Sequence, residues 1–103
     1  MKDQDIWEAL IGSDFALCQD YLTFVLGSTY DSPNDLNVGY IGANGEEVET
    51  NLTFEQIKMA LASAIADGLT HCGDYDMADL GNSDACFAYI VFQYALYGTV
   101  VYA

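Results

Sequence analysis

The residues best suited to bind a metal in this chain are one histidine and three cysteines. Cys18, His71, Cys72 and Cys86 together could supply the nitrogen and sulfur ligands of a tetrahedral zinc site. Their spacing matches no zinc motif, and a cysteine on an apolar helix face, as predicted for Cys18, commonly packs as a small hydrophobic residue. We therefore interpret all three cysteines as reduced thiols and predict neither a metal nor any other cofactor.

An acidic segment has the beginning of a calcium-binding loop. Asp74 and Asp76 stand at the first two ligand positions of an EF-hand pattern. Asp79, however, stands where that loop needs glycine for its turn, and Ala85 stands where it needs a bidentate glutamate. The sequence therefore predicts an acidic loop over residues 70–82 without a specific calcium site.

Catalytic groups are sparse in the sequence. His71, the single histidine, is adjacent to Cys72, and neighbouring residues rarely turn both side chains toward each other, which argues against a Cys–His dyad. Paired carboxylates could perform acid–base catalysis, but no pattern indicates a cleft that would shift their pKa values. Gly39, Gly42 and Gly45 recur within a hairpin pattern and form no phosphate-binding loop. We predict that the protein is not an enzyme.

Charge is the most informative property of the sequence. Sixteen Asp and Glu residues face only Lys2 and Lys58, arginine is absent, and the formal net charge is -14. Proteins bind nucleic acids and anionic membranes mainly through Lys and Arg, so neither is an expected ligand. A basic protein surface is the natural electrostatic complement of this chain.

The elements that must position these groups form one predicted α+β domain over residues 1–103, with about four helices packed around a small antiparallel sheet. Helical periodicity predicts the first helix over residues 3–11 and a second helix over residues 13–26. The apolar stripe of the second helix consists of Phe15, Cys18, Leu22 and Val25.

The third and fourth predicted helices have clear termini. Residues 53–56, Thr-Phe-Glu-Gln, fit a capping box, and Gly68 is placed to end the helix that follows. The last helix is predicted to begin after Asn82 or Ser83 and to end at Tyr97. Because that helix is apolar almost all round, we expect it to lie at the centre of the fold.

The predicted sheet is a hairpin joined by one strand near the C-terminus. Asn44-Gly45, the preferred pair for a two-residue type I′ turn, separates strands over residues 38–51. Residues 99–102 supply the third strand. The register that this turn predicts pairs Ile41 with Val48 and Tyr40 with Glu49.

Two acidic clusters and their aromatic neighbours are the predicted binding residues. Alternate side chains of a strand are about 6.6–7 Å apart, and helical residues i and i+3 are about 5–6 Å apart at Cβ. These separations are similar to the step between neighbouring phosphates along DNA. Tyrosine is enriched among the residues that dominate binding energy at interfaces. The predicted partner-binding residues are Glu46, Glu47, Glu49, Asp74, Asp76, Asp79, Tyr40 and Tyr75.

The composition of the whole chain resembles that of phage-encoded DNA mimics, such as anti-CRISPR proteins, anti-restriction proteins and the uracil-DNA glycosylase inhibitor. The resemblance is one of size, acidity and aromatic content, and no sequence motif carries it. It implies a non-catalytic inhibitor, encoded by a phage or mobile element, that evades host defence. Its partner would be a basic nucleic-acid-binding protein or nuclease complex, and it would not bind nucleic acid itself.

Two other interpretations of the acidity stay open. An immunity protein or antitoxin that neutralises a basic nuclease toxin would have the same size and charge. An acidic domain from a halophile would carry surface acid as an adaptation to salt. The apolar content of 52% and the three cysteines argue against the halophile interpretation.

The N-terminal residues bear on the expected location of the protein. Asp3, Asp5, Glu8 and Asp14 interrupt the apolar residues near the start, which leaves no signal-peptide pattern. No apolar run approaches the roughly 18 residues needed to span a membrane. We therefore expect a cytoplasmic protein without membrane contact, located in the host cytoplasm if a phage encodes it.

Overall fold

The computed structural model describes residues 2–12, 21–27, 32–71, 75–82 and 85–101. Within these ranges the fold is α+β, as predicted, with three α-helices instead of about four, a three-stranded antiparallel sheet and a two-stranded one. In chain order the elements are α1 (Asp3–Gly12), β1 (Leu22–Leu26), β2 (Leu36–Ile41), β3 (Glu47–Leu52), α2 (Phe54–Ala66), β4 (Thr70–His71), β5 (Tyr75–Asp76), a 3₁₀ helix (Leu80–Asn82) and α3 (Ala85–Tyr97).

Helix α2 begins where the sequence predicts because its capping box forms. The Gln56 N–H donates to Thr53 Oγ1 at 3.2 Å, and the Thr53 N–H donates to Gln56 Oε1 at 2.9 Å. Ile57 and Leu61 are buried on the apolar face of the helix. Gly68 adopts a φ of +71°, which glycine tolerates best, just after the helix end. The prediction of this helix is confirmed.

Helix α3 lies in the core, also as predicted. Phe87, Val91 and Phe92 are fully buried, and the helix packs against α2. Gly98, with a φ of +78°, follows its last residue and donates its N–H to the Tyr94 carbonyl at 3.0 Å. The predicted capping residue Ser83 lies outside the described residues.

Residues 22–26 form strand β1 and not the end of a second helix. Their composition, Leu-Thr-Phe-Val-Leu, contains the β-branched and aromatic residues that favour strands. These residues form a strand and not a helix because they pair with β2, with Leu26 opposite Asn37 and Val25 opposite Val38. The helix prediction is therefore wrong for these residues, and the rest of it, over residues 13–20, lies outside the described ones.

The predicted C-terminal strand, over residues 99–102, is absent from residues 99–101, the part of that segment which the structure describes. The Val101 N–H donates to Gln93 Oε1 at 2.8 Å, so a buried side chain of α3 holds this segment in place of a strand partner. The third strand of the sheet is β1 instead, and it lies at the edge beside β2, in the order β1-β2-β3.

The hairpin between β2 and β3 forms, with a loop one residue longer than predicted. The Gly42 N–H donates to the Glu46 carbonyl at 2.7 Å, and the Gly45 N–H donates to the Gly42 carbonyl at 3.0 Å. Residues 43–45 therefore form a three-residue loop, which Gly45 closes with a φ of +79°. A turn followed by a glycine bulge thus replaces the predicted type I′ turn.

The longer loop shifts the register of the hairpin by one residue. Tyr40 lies opposite Val48 and Ile41 opposite Glu47, so both predicted pairs are wrong. Because side chains alternate across a strand, a shift of one residue moves each side chain of β3 to the other face relative to β2. Glu49 consequently lies on the face opposite to Tyr40 and not beside it.

Residues 70–82 contain more structure than the predicted acidic loop. Strands β4 and β5 pair antiparallel, with His71 opposite Tyr75, and the 3₁₀ helix follows them. His71 is buried, with its ring 5.8 Å from that of Tyr75 and 6.1 Å from that of Phe87, and Met77 is fully buried. Strands of two residues are too short to produce a periodic pattern, so this ribbon could not be predicted from the sequence.

The three-stranded sheet has an inner face toward the core and an outer face toward solvent. The register of both strand pairs fixes which side chains share a face. Side chains of the inner face include Leu36, Val38, Tyr40 and Leu52, which pack in or against the core. Side chains of the outer face include Phe24, Leu26, Asn37, Glu47, Glu49 and Asn51.

Tyrosines attach the inner face of the sheet to α3. The Tyr21 hydroxyl donates to the Tyr89 carbonyl at 2.7 Å, and the Tyr97 hydroxyl donates to the Ile41 carbonyl at 2.5 Å. The ring of Tyr40 lies edge-to-face with that of Tyr97, with centroids 5.7 Å apart. Burial raises the pKa of Tyr21, and the neighbouring Tyr89 and Tyr97 raise it further. These rings therefore build the fold.

Candidate functional site

Every Asp and Glu residue within the described ranges is exposed. Lys58 Nζ lies 3.1 Å from Asp3 Oδ1, an ion pair that joins α1 to α2, and 3.5 Å from Glu55 Oε1 within α2. The hydrogen bond with Asp3 raises the pKa of the Lys58 ammonium. Since Lys58 is paired within the chain and Lys2 is the only other base, the described surface is strongly negative.

Two of the predicted glutamates lie side by side on the outer face of the sheet. Glu47 and Glu49 are alternate residues of the edge strand β3, and both are exposed. The Thr23 hydroxyl donates to Glu47 Oε1 at 2.9 Å, which links β1 to β3 across the central strand. Glu46 is exposed in the adjoining loop. Strand β3 thus presents an acidic row whose position is fixed by the sheet and by Thr23.

A glycine in the central strand makes room for the side chains of β1. Gly39 lies opposite Phe24 on one side and Glu49 on the other. A Cβ atom on Gly39 would lie 2.5 Å from Phe24 Cε1 and would overlap Thr23 Oγ1. The register of β1 also shifts between Leu22 and Phe24, so Thr23 lies in a bulge. Bulge and glycine together bring the Phe24 ring onto the middle of the outer face.

A shallow groove of about 390 Å³ runs along this outer face. Phe24 and Leu26 line one side of it, and Glu49 lines the other. Leu26, the last residue of β1, is 60% exposed. Asn51 Nδ2 donates to Asn37 Oδ1 at 3.1 Å within the same groove. The outer face therefore combines exposed apolar surface with carboxylates.

A second acidic surface forms between α1 and the 3₁₀ helix. Asp5 and Glu8 line a groove of about 410 Å³ together with Leu80 and Gly81. Asp79 lies beside it, because its Oδ1 atom is 3.5 Å from a Cβ atom built on Gly81. The tertiary structure thus brings Asp5 and Glu8 close to Asp79, which is distant in the sequence. This groove contains no large exposed apolar side chain of the kind that Leu26 provides.

The remaining predicted binding residues lie on other parts of the molecule. Tyr40 is half-buried on the inner face, and Asp76 and Tyr75 are exposed on the β4–β5 ribbon. Asp76 Oδ1 accepts a hydrogen bond from the Ala78 N–H at 2.8 Å. Asp74 lies outside the described residues. Of the predicted residues, Glu47 and Glu49 therefore lie together on the outer face of the sheet. Phe24 and Leu26, which were predicted to be helical, lie on the same face.

The described residues contain no group of three or more His, Cys, Asp and Glu side chains placed to hold a metal ion. Of the zinc ligands considered from the sequence, Cys86 is exposed near the start of α3 and His71 is buried. Cys18 and Cys72 lie outside the described ranges. None of the helices over those ranges combines the length and the apolar character that crossing a membrane requires.

Comparison of the chain with protein-family models, with curated proteins and with solved structures found no significant match. Function is therefore inferred from the surfaces described above, and chiefly from the acidic and apolar outer face of the sheet.

Proposed function

We propose that this chain is a non-catalytic inhibitor of the DNA-mimic type, encoded by a phage or mobile element. It binds the basic nucleic-acid-binding surface of a host defence protein or complex, in the manner of anti-CRISPR or anti-restriction proteins. The observation that carries the proposal is the exposure of every carboxylate in the described part of a chain whose net charge is -14.

Electrostatics supports this choice of partner. A charge of one sign over a small surface accelerates association with a surface of the opposite sign, and suppresses association with polyanions. Lys58, one of the two bases, is already paired with Asp3 and Glu55. Along β3, Glu47 and Glu49 are alternate strand residues and hence about 6.6–7 Å apart at Cα, which imitates a short row of phosphates.

Displacement of nucleic acid from a captured partner tests the proposal. The immobilised chain captures proteins from a nuclease-treated bacterial lysate, and each captured protein is then bound to labelled DNA or RNA. We expect capture of a basic nucleic-acid-binding protein and competitive release of its labelled nucleic acid. A partner that keeps its nucleic acid while the chain is bound would contradict the proposal. Capture of a nuclease toxin alone would favour the immunity-protein function instead.

Nucleic acid alone provides a further test. With only two lysines, the chain should not retard duplex DNA in a gel at physiological salt. Its affinity for the captured partner should fall as salt rises, because screening weakens the attraction between exposed charges. A clear gel shift with DNA alone would contradict the proposed mimicry.

Charge reversal tests the acidic clusters that the sequence analysis selected. One variant replaces Glu46, Glu47 and Glu49 by Lys, and a second replaces Asp74, Asp76 and Asp79 by Lys. We expect at least the first variant to lose displacement of the nucleic acid, provided that its circular dichroism spectrum matches that of the parent. If both variants inhibit like the parent, neither cluster belongs to the interface.

A further inference from the structure

We propose that the outer face of the sheet is the docking site for an arginine side chain of the basic partner. The guanidinium pairs with Glu49, and the aliphatic stem of the arginine lies on Phe24 and Leu26. The inference rests on the proposed function, since it names the group by which the partner is recognised. The outer face of the sheet is thereby distinguished from the other acidic surfaces of the chain.

Apolar and acidic side chains lie together in one groove on the outer face. Arginine has an apolar stem and a charged planar head, so its binding site needs an apolar surface beside a carboxylate. Phe24 and Leu26 provide the apolar surface, and Glu49 lies across the groove from them. An aromatic ring also attracts a cation placed near it. The groove between α1 and the 3₁₀ helix places Leu80 beside carboxylates but has no aromatic ring in its lining.

The outer face is built around Gly39 in the central strand. Glycine weakens the interior of a strand, and there it often marks a bulge or a site that another group approaches closely. Here the missing side chain of Gly39 leaves the space that Phe24 and Thr23 occupy. The row Phe24, Gly39, Glu49 therefore crosses the three strands with the Phe24 ring lying against Gly39, between β1 and the Glu49 carboxylate.

Glu47 adds negative charge beside Glu49 on the same face. Thr23 holds Glu47 through the 2.9 Å hydrogen bond to Oε1, so a second carboxylate has a defined position on the same face. A carboxylate that accepts two guanidinium hydrogen bonds makes a stronger and more directional contact than one that meets an ammonium. We therefore expect this face to prefer arginine to lysine.

An octa-arginine peptide serves as the probe, with octa-lysine as the matched cation, and both are titrated into the isotope-labelled full chain at near-physiological salt. Amide chemical shifts report where each peptide binds. We expect the largest shifts from octa-arginine over β1, the centre of β2 and Glu49, and smaller shifts from octa-lysine. Shifts centred on residues 5–9 and 79–81, or spread evenly over all acidic segments, would overturn the proposal.

Matched variants separate the face from net charge. Glu49→Gln and Leu26→Ser should each weaken octa-arginine binding by about threefold to tenfold, and together by more than either alone. The control, Asp5→Asn with Glu8→Gln, removes two charges from the other groove, and we expect it to change the affinity by less than about twofold because screening limits action at a distance. Equal losses in the control and in Glu49→Gln would overturn the proposal.

The captured partner distinguishes this inference from the proposed function. If the parent displaces nucleic acid and Glu49→Gln with Leu26→Ser does so equally well, the proposed function stands and the docking site is wrong. If octa-arginine maps to the outer face and no nucleic acid is displaced from any partner, the docking site stands and the DNA-mimic function is wrong. Both variants carry exposed substitutions, and a thermal melt verifies that each is folded.

Discussion

The two faces of the three-stranded sheet use similar side chains for opposite purposes. On the inner face, Leu36 and Val38 are fully buried, and tyrosine hydroxyls join the sheet to α3. On the outer face, Leu26 is 60% exposed and shares its groove with Glu49. Apolar surface without charge holds the fold together here, whereas apolar surface beside charge is what a protein partner could recognise. Substitutions on the two faces should therefore affect different measurements.

The same leucine substitution on each face should give the largest contrast. Leu36→Ala removes a fully buried side chain and should lower the free energy of unfolding by about 2–5 kcal/mol. Leu26→Ala removes an exposed one and should change it by less than about 0.5 kcal/mol. Urea denaturation measures both. Comparable losses for the two variants would mean that Leu26 belongs to the core and that the faces do not differ.

A side chain at the centre of the sheet should disturb both faces. Gly39→Ala places a Cβ atom against Phe24 and Thr23, and we expect a net loss of about 1–2 kcal/mol because overpacking outweighs the reduced chain entropy. Octa-arginine binding should weaken as well. The control is Gly81→Ala, whose Cβ atom meets only Asp79 Oδ1 at an ordinary 3.5 Å. A stable Gly39→Ala variant with unchanged octa-arginine binding would show that the outer face does not require glycine at this position.

Loss of a tyrosine hydroxyl should weaken the attachment of the inner face. Tyr21→Phe removes the hydrogen bond to the Tyr89 carbonyl and should cost about 0.5–1.5 kcal/mol at neutral pH. Binding of octa-arginine should be unchanged, since Tyr21 is buried away from the outer face. Chemical denaturation at pH 7 measures the first effect and the peptide titration the second.

The same hydroxyl should make stability depend on alkaline pH. Burial raises the pKa of Tyr21 above its ordinary value of 10.0. The folded state therefore keeps a proton that the unfolded state loses, so the stabilisation is full below pH 10 and falls above it by about 1.4 kcal/mol per pH unit. Tyr21→Phe should show a shallower decline above pH 10 than the parent. Equal slopes would show that this hydroxyl does not resist ionisation.

The smallest effect on stability should come from the acidic row. Glu47→Gln with Glu49→Gln changes only exposed side chains, and it should alter the free energy of unfolding by less than about 0.5 kcal/mol. The same variant should lose most of its binding to octa-arginine and to the captured partner. A large loss of stability with unchanged binding would reverse the roles that we assign to the two faces.

The candidate binding surface could be predicted from the sequence only in part. Glu47 and Glu49 were selected because their charge needs no tertiary information. Phe24 and Leu26 were missed because their neighbours Leu22 and Val25 fit a helical stripe with Phe15 and Cys18, and only pairing with β2 decides between the two structures. The β-branched and aromatic residues of this run were the available signal. Tyr40 was selected as an interface residue under a register that the three-residue loop changes.

The sequence by itself determined the features that depend on residues close together in the chain. The capping box at Thr53 and the glycines at positions 68 and 98 place helix ends through bonds that span only a few residues. The strong negative charge is a sum over residues and needs no fold. Only the tertiary structure decided the third strand, the register of the hairpin and the side chains that share the outer face. These depend on pairing between distant segments, whose free energy no local pattern contains.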